Sequence, residues 1–175
     1  MGVPNWITAG RIASVPVFVV LSYGHSTAAA VGAFGLFLSA SLSDFFDGYL
    51  ARRWGSVSRV GKWLDPLADK ILVAAALVVL IDTRAFPAWA ALVIVVREIS
   101  VQLLRMRMVR GGMDLPASRS AKWKTALQIA MVSWWLLPFD EPTPVHGLLL
   151  VAALVATVWS GAQYLVQARA GEVTT

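Results

Sequence analysis

The chain has 175 residues, of which 58% are hydrophobic, a formal net charge of +5 and no cysteine. That length suits a single domain, 1–175, and an apolar share above the roughly 45–50% of soluble domains points to a bilayer. The missing cysteines exclude disulfides, thiolate metal ligands and cysteine nucleophiles. Basic residues set between apolar runs fit an anionic lipid surface or a phosphorylated substrate, and no nucleic-acid partner is expected.

In chain order, six apolar stretches approach the length of about 20 residues that a membrane helix needs: 6–23, 28–51, 62–81, 87–108, 122–137 and 144–166. The expected fold class is therefore all-α, a polytopic bundle of six transmembrane helices. The first stretch lacks a basic leader and a small-residue cleavage site, so a removable signal peptide is not expected. The breaks, among them Gly24-His25-Ser26 and 138–142, are polar or rich in Gly and Pro, as turns are. Trp6, Trp89, Trp134 and Trp135 fall near the ends of stretches, where an aromatic belt sits. Arg52, Arg53, Arg59 and Lys62 lie at or between the facing ends of the second and third stretches, and Arg105, Arg107, Arg110, Arg119, Lys122 and Lys124 at or between those of the fourth and fifth. The opposite loops carry Arg84 against Asp82, Asp140 and Glu141. The positive-inside rule then puts both termini on the cytoplasmic side of the inner, cytoplasmic membrane. His25 and His146 fall in the outer loops and are given no metal role.

Four of the ten acidic residues, Asp44, Asp47, Asp65 and Asp69, gather at the cytoplasmic ends of the second and third stretches. A carboxylate at membrane depth is costly and usually marks a site. Asp44 and Asp47 are three apart and Asp65 and Asp69 four apart, so each pair shares a helix face. Two antiparallel neighbours would then bring four carboxylates to one point. Oxygen-only ligands favour hard cations such as Mg²⁺ or Mn²⁺, and a pair of such ions would clamp a pyrophosphate. Gly48, Ala51 and Gly61 remove bulk about one turn from the carboxylates, although each alone fits helix packing equally well. Arg52 offers a planar donor fork suited to phosphate. Pro66 either kinks the third helix or marks its regular start.

The run Asp44-X2-Asp47-Gly48-X2-Ala51-Arg52-X8-Gly61-X3-Asp65-X3-Asp69 resembles the signature of the CDP-alcohol phosphatidyltransferases, with every position matched. The family's six-helix layout is similar to the one read above, so the resemblance covers nearly the whole chain. It implies that a CDP-alcohol, usually CDP-diacylglycerol, donates its phosphatidyl group to a hydroxyl acceptor and that CMP leaves. It implies two metal ions held by Asp44, Asp47, Asp65 and Asp69, with Asp69 also the general base. It implies a donor pocket lined by Gly48, Ala51 and Arg52, with Gly61 facing it, and a homodimer. Pro4-Asn5-X2-Thr8-X2-Arg11 resembles the family's opening segment, which puts Asn5 and Thr8 near the donor head group; a helix cap is the other reading of that segment. No Ser, Thr or His has an evident activating partner, so direct attack without a phosphatidyl-enzyme intermediate is expected.

Within the family, four further segments resemble the members whose acceptor is sn-glycerol 3-phosphate and whose product is phosphatidylglycerolphosphate. They are Lys70-Ile-Leu, Arg97-Glu98-Ile99, Ser118-X3-Lys122-X-Lys124-Thr125-X2-Gln128 and Trp159-Ser160-X2-Gln163-Tyr164-Leu165. Ala121 departs from the Gly common in that group. A phosphorylated acceptor needs a cationic pocket, and Arg105, Arg110, Arg119, Lys122 and Lys124 supply charge on the expected side. Those cations serve equally as anchors for anionic lipid. Arg97 and Glu98 lie within an apolar stretch, and a buried ion pair, with Lys70 one candidate partner, is expected for Glu98. Other acceptors in the family (inositol phosphate, serine, phosphatidylglycerol for cardiolipin) stay open. Intramembrane prenyltransferases and divalent-cation transporters are the competing classes.

Overall fold

The computed structural model describes the backbone of residues 3–54, 61–110, 119–139 and 141–172, and the side chains of residues 10–43, 70–108, 120–139 and 141–168. Six helices make up the described chain: α1 Val3–Ser22, α2 Thr27–Trp54, α3 Gly61–Arg84, α4 Ala88–Arg110, α5 Arg119–Leu136 and α6 Pro144–Glu172. Among the described residues there is no strand. Each apolar stretch expected from the sequence is helical, but α2 and α6 run past their apolar stretches, to Trp54 and Glu172. α3 begins at Gly61, so Pro66 lies inside the helix rather than at its start. By length and composition, the segment Pro144–Ala168 of α6 is the one among the described residues that is long and apolar enough to cross a membrane, and Gly10–Ser22 and Thr27–Ser43 are shorter apolar helices.

Local chemistry fixes several helix ends. The Ser26 hydroxyl accepts the Ala29 amide at 3.1 Å, capping α2. Thr143 precedes Pro144, the first residue of α6, where a missing N–H costs nothing. The His146 ring accepts the Thr143 amide at 2.9 Å while the Thr143 carbonyl accepts the His146 amide at 3.0 Å, a reciprocal cap that fixes this imidazole's place. Ala85, with φ 51°, turns the chain in the left-handed region after α3.

The chain forms two compact units. The first comprises Met1–Phe86 and Val132–Asp140, the second Pro87–Met131 and Glu141–Thr175. In the first, α1 packs against both α2 and α3. Its core holds Phe18 and Phe37, ring centroids 6.0 Å apart, with Leu72, Leu77 and Leu80 fully buried. Phe86 meets Trp135 edge-on at 4.9 Å. In the second unit α4 packs on α6, and the core includes Ile94, Met131 and Ala153 together with two buried hydroxyls, Thr157 and Ser160.

Candidate active site

The first unit carries the aspartate motif on consecutive helices. Asp44, Asp47, Gly48, Ala51 and Arg52 belong to the C-terminal part of α2, and Gly61, Asp65 and Asp69 to the N-terminal part of α3. Helix α2 is continuous from Thr27 to Trp54, so positions 44, 47 and 51 keep one stripe of it. Positions 61, 65 and 69 repeat every four residues along α3 in the same way. Asn5 and Thr8 lie on α1, the helix against which both α2 and α3 pack. The side chains of Asn5, Thr8, Asp44, Asp47, Gly48, Ala51, Arg52, Gly61, Asp65 and Asp69 lie outside the described residues. Among the described residues, no group of three or more His, Cys, Asp or Glu side chains gathers to hold a metal ion.

Two cavities are lined by described residues of this unit. One of about 260 Å³ is lined by Gly10, Arg11, Ser14, Leu36, Ser39 and Ser43, ending one residue before Asp44. The small side chains make the space, and Arg11, only 4% exposed, brings a buried guanidinium to it. Arg11 belongs to the opening segment but was not among the expected donor contacts, because its spacing alone does not distinguish a lining residue from an anchor. The other cavity, about 530 Å³, is lined by Tyr23, His25, Asp82, Arg84 and Phe139 among others. It sits where α2 begins, and the 17 residue steps along α2 from Thr27 to Asp44 put roughly 25 Å of helix between its mouth and the aspartate positions.

The second unit holds a seam of polar contacts between apolar helices. Ser120, Lys124 and Gln128 recur every four residues on α5 and form one stripe. The Ser120 hydroxyl donates to Gln163 Oε1 on α6. Gln128 Nε2 donates to Thr157 Oγ1 at 2.9 Å, with both groups buried. Between these two contacts, Lys124 Nζ donates to Glu98 Oε1 on α4. The same carboxylate oxygen receives Arg97 Nη1 at 3.2 Å, and Arg97 Nη2 donates to Ser160 Oγ at 2.8 Å. A methyl at Gly161 would lie 3.3 Å from Arg97 Cγ, so this glycine leaves room for the arginine stem to cross α6.

The expected acceptor cations therefore occupy different settings. Lys124 is buried and paired with Glu98, whereas Lys122 and Arg105 are exposed. Arg110 ends α4 and Arg119 begins α5, and their side chains lie outside the described residues. Glu98 does form the expected ion pair, and its described partners are Arg97 and Lys124. Arg97 was singled out in the sequence without a role; its contacts with Glu98 and Ser160 join α4 to α6.

The sequence profile described as CDP-alcohol phosphatidyltransferase matches residues 1–159. A protein of Bacillus subtilis (strain 168), named CDP-diacylglycerol–glycerol-3-phosphate 3-phosphatidyltransferase, is 40% identical over 177 residues, covering 92% of this chain and 92% of that protein. The Escherichia coli (strain K12) protein of the same name is 36% identical over 175 residues, covering 96% of this chain and 95% of that protein. A Mycobacterium tuberculosis (strain ATCC 25618 / H37Rv) protein, named a probable phosphatidylglycerophosphate synthase, is 36% identical over 168 residues, covering 94% of this chain and 80% of that protein.

Proposed function

The chain belongs to the CDP-alcohol phosphatidyltransferase family, and from that premise we propose that it transfers the phosphatidyl group of CDP-diacylglycerol to sn-glycerol 3-phosphate, giving phosphatidylglycerolphosphate and CMP. The observation that carries this reading is the complete aspartate signature on α2 and α3, consecutive helices of one unit, in a chain whose relatives of nearly equal length bear the corresponding name. The matched profile runs through both units, which supports treating 1–175 as one functional domain.

In this reading Asp44, Asp47, Asp65 and Asp69 form an all-oxygen donor set that fits two Mg²⁺ or Mn²⁺ ions. Such ions, when bound, neutralise the pyrophosphate and the departing CMP. Asp69 takes the proton of the acceptor hydroxyl, which then attacks the phosphatidyl phosphorus directly. Gly48, Ala51 and Gly61 leave space for the donor, Arg52 meets its phosphates, and Asn5 and Thr8 stand by its head group. Arg105, Arg110, Arg119, Lys122 and Lys124 attract and hold the acceptor's phosphate.

The same reading makes all six helices membrane-spanning, with the active site and both termini on the cytoplasmic side. Its support is the apolar outer surface. Val20, Val78, Leu92, Leu148, Val155 and Val166 are all more than half exposed, as are Trp89, Trp123 and Trp159. Water would penalise such a surface, and lipid would not. Surrounding lipids and a second copy of the chain, in a homodimer, are the proposed partners.

The test is CMP release by purified protein supplied with CDP-diacylglycerol, Mg²⁺ or Mn²⁺, and a panel of acceptors. Release that needs both the metal and glycerol 3-phosphate is expected. Release with inositol phosphate or phosphatidylglycerol but not glycerol 3-phosphate would overturn the acceptor and keep the reaction class. Metal uptake into vesicles without CMP release would favour a transporter.

A further inference from the structure

We propose that the cavity between α1 and α2 takes the glycerol-ester part of the lipid donor, with the Arg11 guanidinium donating to an ester carbonyl; this rests on the functional reading above. The cavity, about 260 Å³, is lined from α1 by Gly10, Arg11 and Ser14 and from α2 by Leu36, Ser39 and Ser43. Both helices belong to the first unit and pack against each other. The short turn 23–26 joins them, so they run antiparallel, and the Gly10 end of the lining on α1 lies towards the Ser43 end on α2. Ser39, Ser43 and Asp47 recur every four residues on α2 and share one stripe. The cavity therefore begins roughly 6 Å along that stripe from the Asp47 position and runs away from the helix end that carries the aspartates. A donor with its pyrophosphate at the aspartate positions would bring its glycerol esters, a few bonds from the phosphorus, to this depth.

The lining suits an ester. Ser14 Oγ donates to the Arg11 carbonyl at 2.7 Å, Ser39 Oγ to the Leu36 carbonyl at 3.0 Å and Ser43 Oγ to the Ser39 carbonyl at 2.7 Å. These three hydroxyl protons are thus committed within their own helices. An ester carbonyl only accepts, so it needs a donor. Arg11, 4% exposed, brings several N–H groups on one guanidinium, so it keeps neighbours within the fold and still presents an N–H to the cavity. The polarity also falls along the cavity, from Arg11 and Ser43 at one end to Leu36 at the other. Val17, three residues past Ser14 on α1, is 53% exposed and continues the apolar side. Esters give way to acyl chains in the same direction. None of the residues assigned to the donor above lines this space.

The experiment is CMP release by the full chain in detergent micelles, with CDP-diacylglycerol compared against its ether-linked counterpart, which keeps the chains and the pyrophosphate and lacks both carbonyls. Wild type should show a KM about tenfold or more higher for the ether donor, because a charge-assisted hydrogen bond is left unmade. Arg11→Met should raise KM for the ester donor by a similar factor and bring the two donors level, with KM for glycerol 3-phosphate unchanged. Gly10→Leu carries the test if Arg11→Met fails to fold. A Cβ at Gly10 meets no atom within 4 Å, so the larger side chain enters the cavity without a clash at its base. It should raise KM for both lipid donors and leave KM for glycerol 3-phosphate alone. Equal KM values for the two donors in wild type, an ester–ether gap that persists in folded Arg11→Met, or an unchanged donor KM in Gly10→Leu would overturn the proposal alone. A wild-type protein that releases no CMP from either donor with any acceptor would overturn this proposal and the functional reading together.

Discussion

The aspartate segment of α2 and α3 and the polar seam of α4, α5 and α6 both set charge into apolar helices, and they differ in what fixes it. In the first region the charged positions are near neighbours in sequence, spaced by the helical repeat. In the second, Arg97 and Glu98 are neighbours on α4, but their other partners lie on other helices, 26 residues away for Glu98 with Lys124 and 63 for Arg97 with Ser160. A region of the first kind announces its pattern in the sequence. A region of the second kind discloses it only once the helices are packed.

The largest expected effect is at Asp69. Asp69→Asn keeps the shape and removes the base, so kcat should fall by about 10²–10⁴-fold, measured as CMP release. Retained turnover would remove Asp69 from the chemistry. Chelation of divalent metal should abolish turnover outright, and Mg²⁺ or Mn²⁺ should restore it. Next comes Gly161→Ala, which crowds the Arg97 stem. It should lower the unfolding temperature in detergent and leave KM for CDP-diacylglycerol alone; an effect on that KM would erase the distinction between the two regions.

Smaller effects sharpen the comparison through stability. Gln128→Ala leaves the buried Thr157 hydroxyl without its 2.9 Å partner. Hydrogen bonds between helices in a bilayer contribute about 0.5–2 kcal/mol, so unfolding in detergent should shift by that amount while kcat stays near wild type. Ser26→Ala removes the cap that accepts the Ala29 amide. It should cost about 1 kcal/mol and leave both KM values unchanged, since α2 carries its aspartates at the other end.

The six helices were legible because each coincides with an apolar stretch bounded by Gly, Pro or charge. Their ends were less so. Arg52 and Arg53 end the hydrophobic signal but not the helix, since arginine is a good helix former, and α2 continues to Trp54. The left-handed turn at Ala85 had no signal, because that conformation usually selects Gly. The aspartate motif stood out by its helical spacing, and its side chains lie outside the described residues. Glu98 could be read as half of an ion pair, because a lone carboxylate in an apolar helix demands a partner. That Lys124 and Arg97 share one of its oxygens depends on how α4 and α5 meet, which no local pattern records. For the same reason Lys122 and Lys124 looked alike in sequence, yet one is exposed and the other buried.

The most direct test of the central claim follows carbon-labelled sn-glycerol 3-phosphate into lipid, with CDP-diacylglycerol and Mg²⁺ or Mn²⁺ present, for wild type and Asp69→Asn side by side. The account predicts labelled phosphatidylglycerolphosphate and equimolar CMP from wild type, both about a hundredfold or more slower from the variant. Labelled lipid formed equally well by Asp69→Asn, or CMP released while the label stays in the aqueous phase, would contradict it.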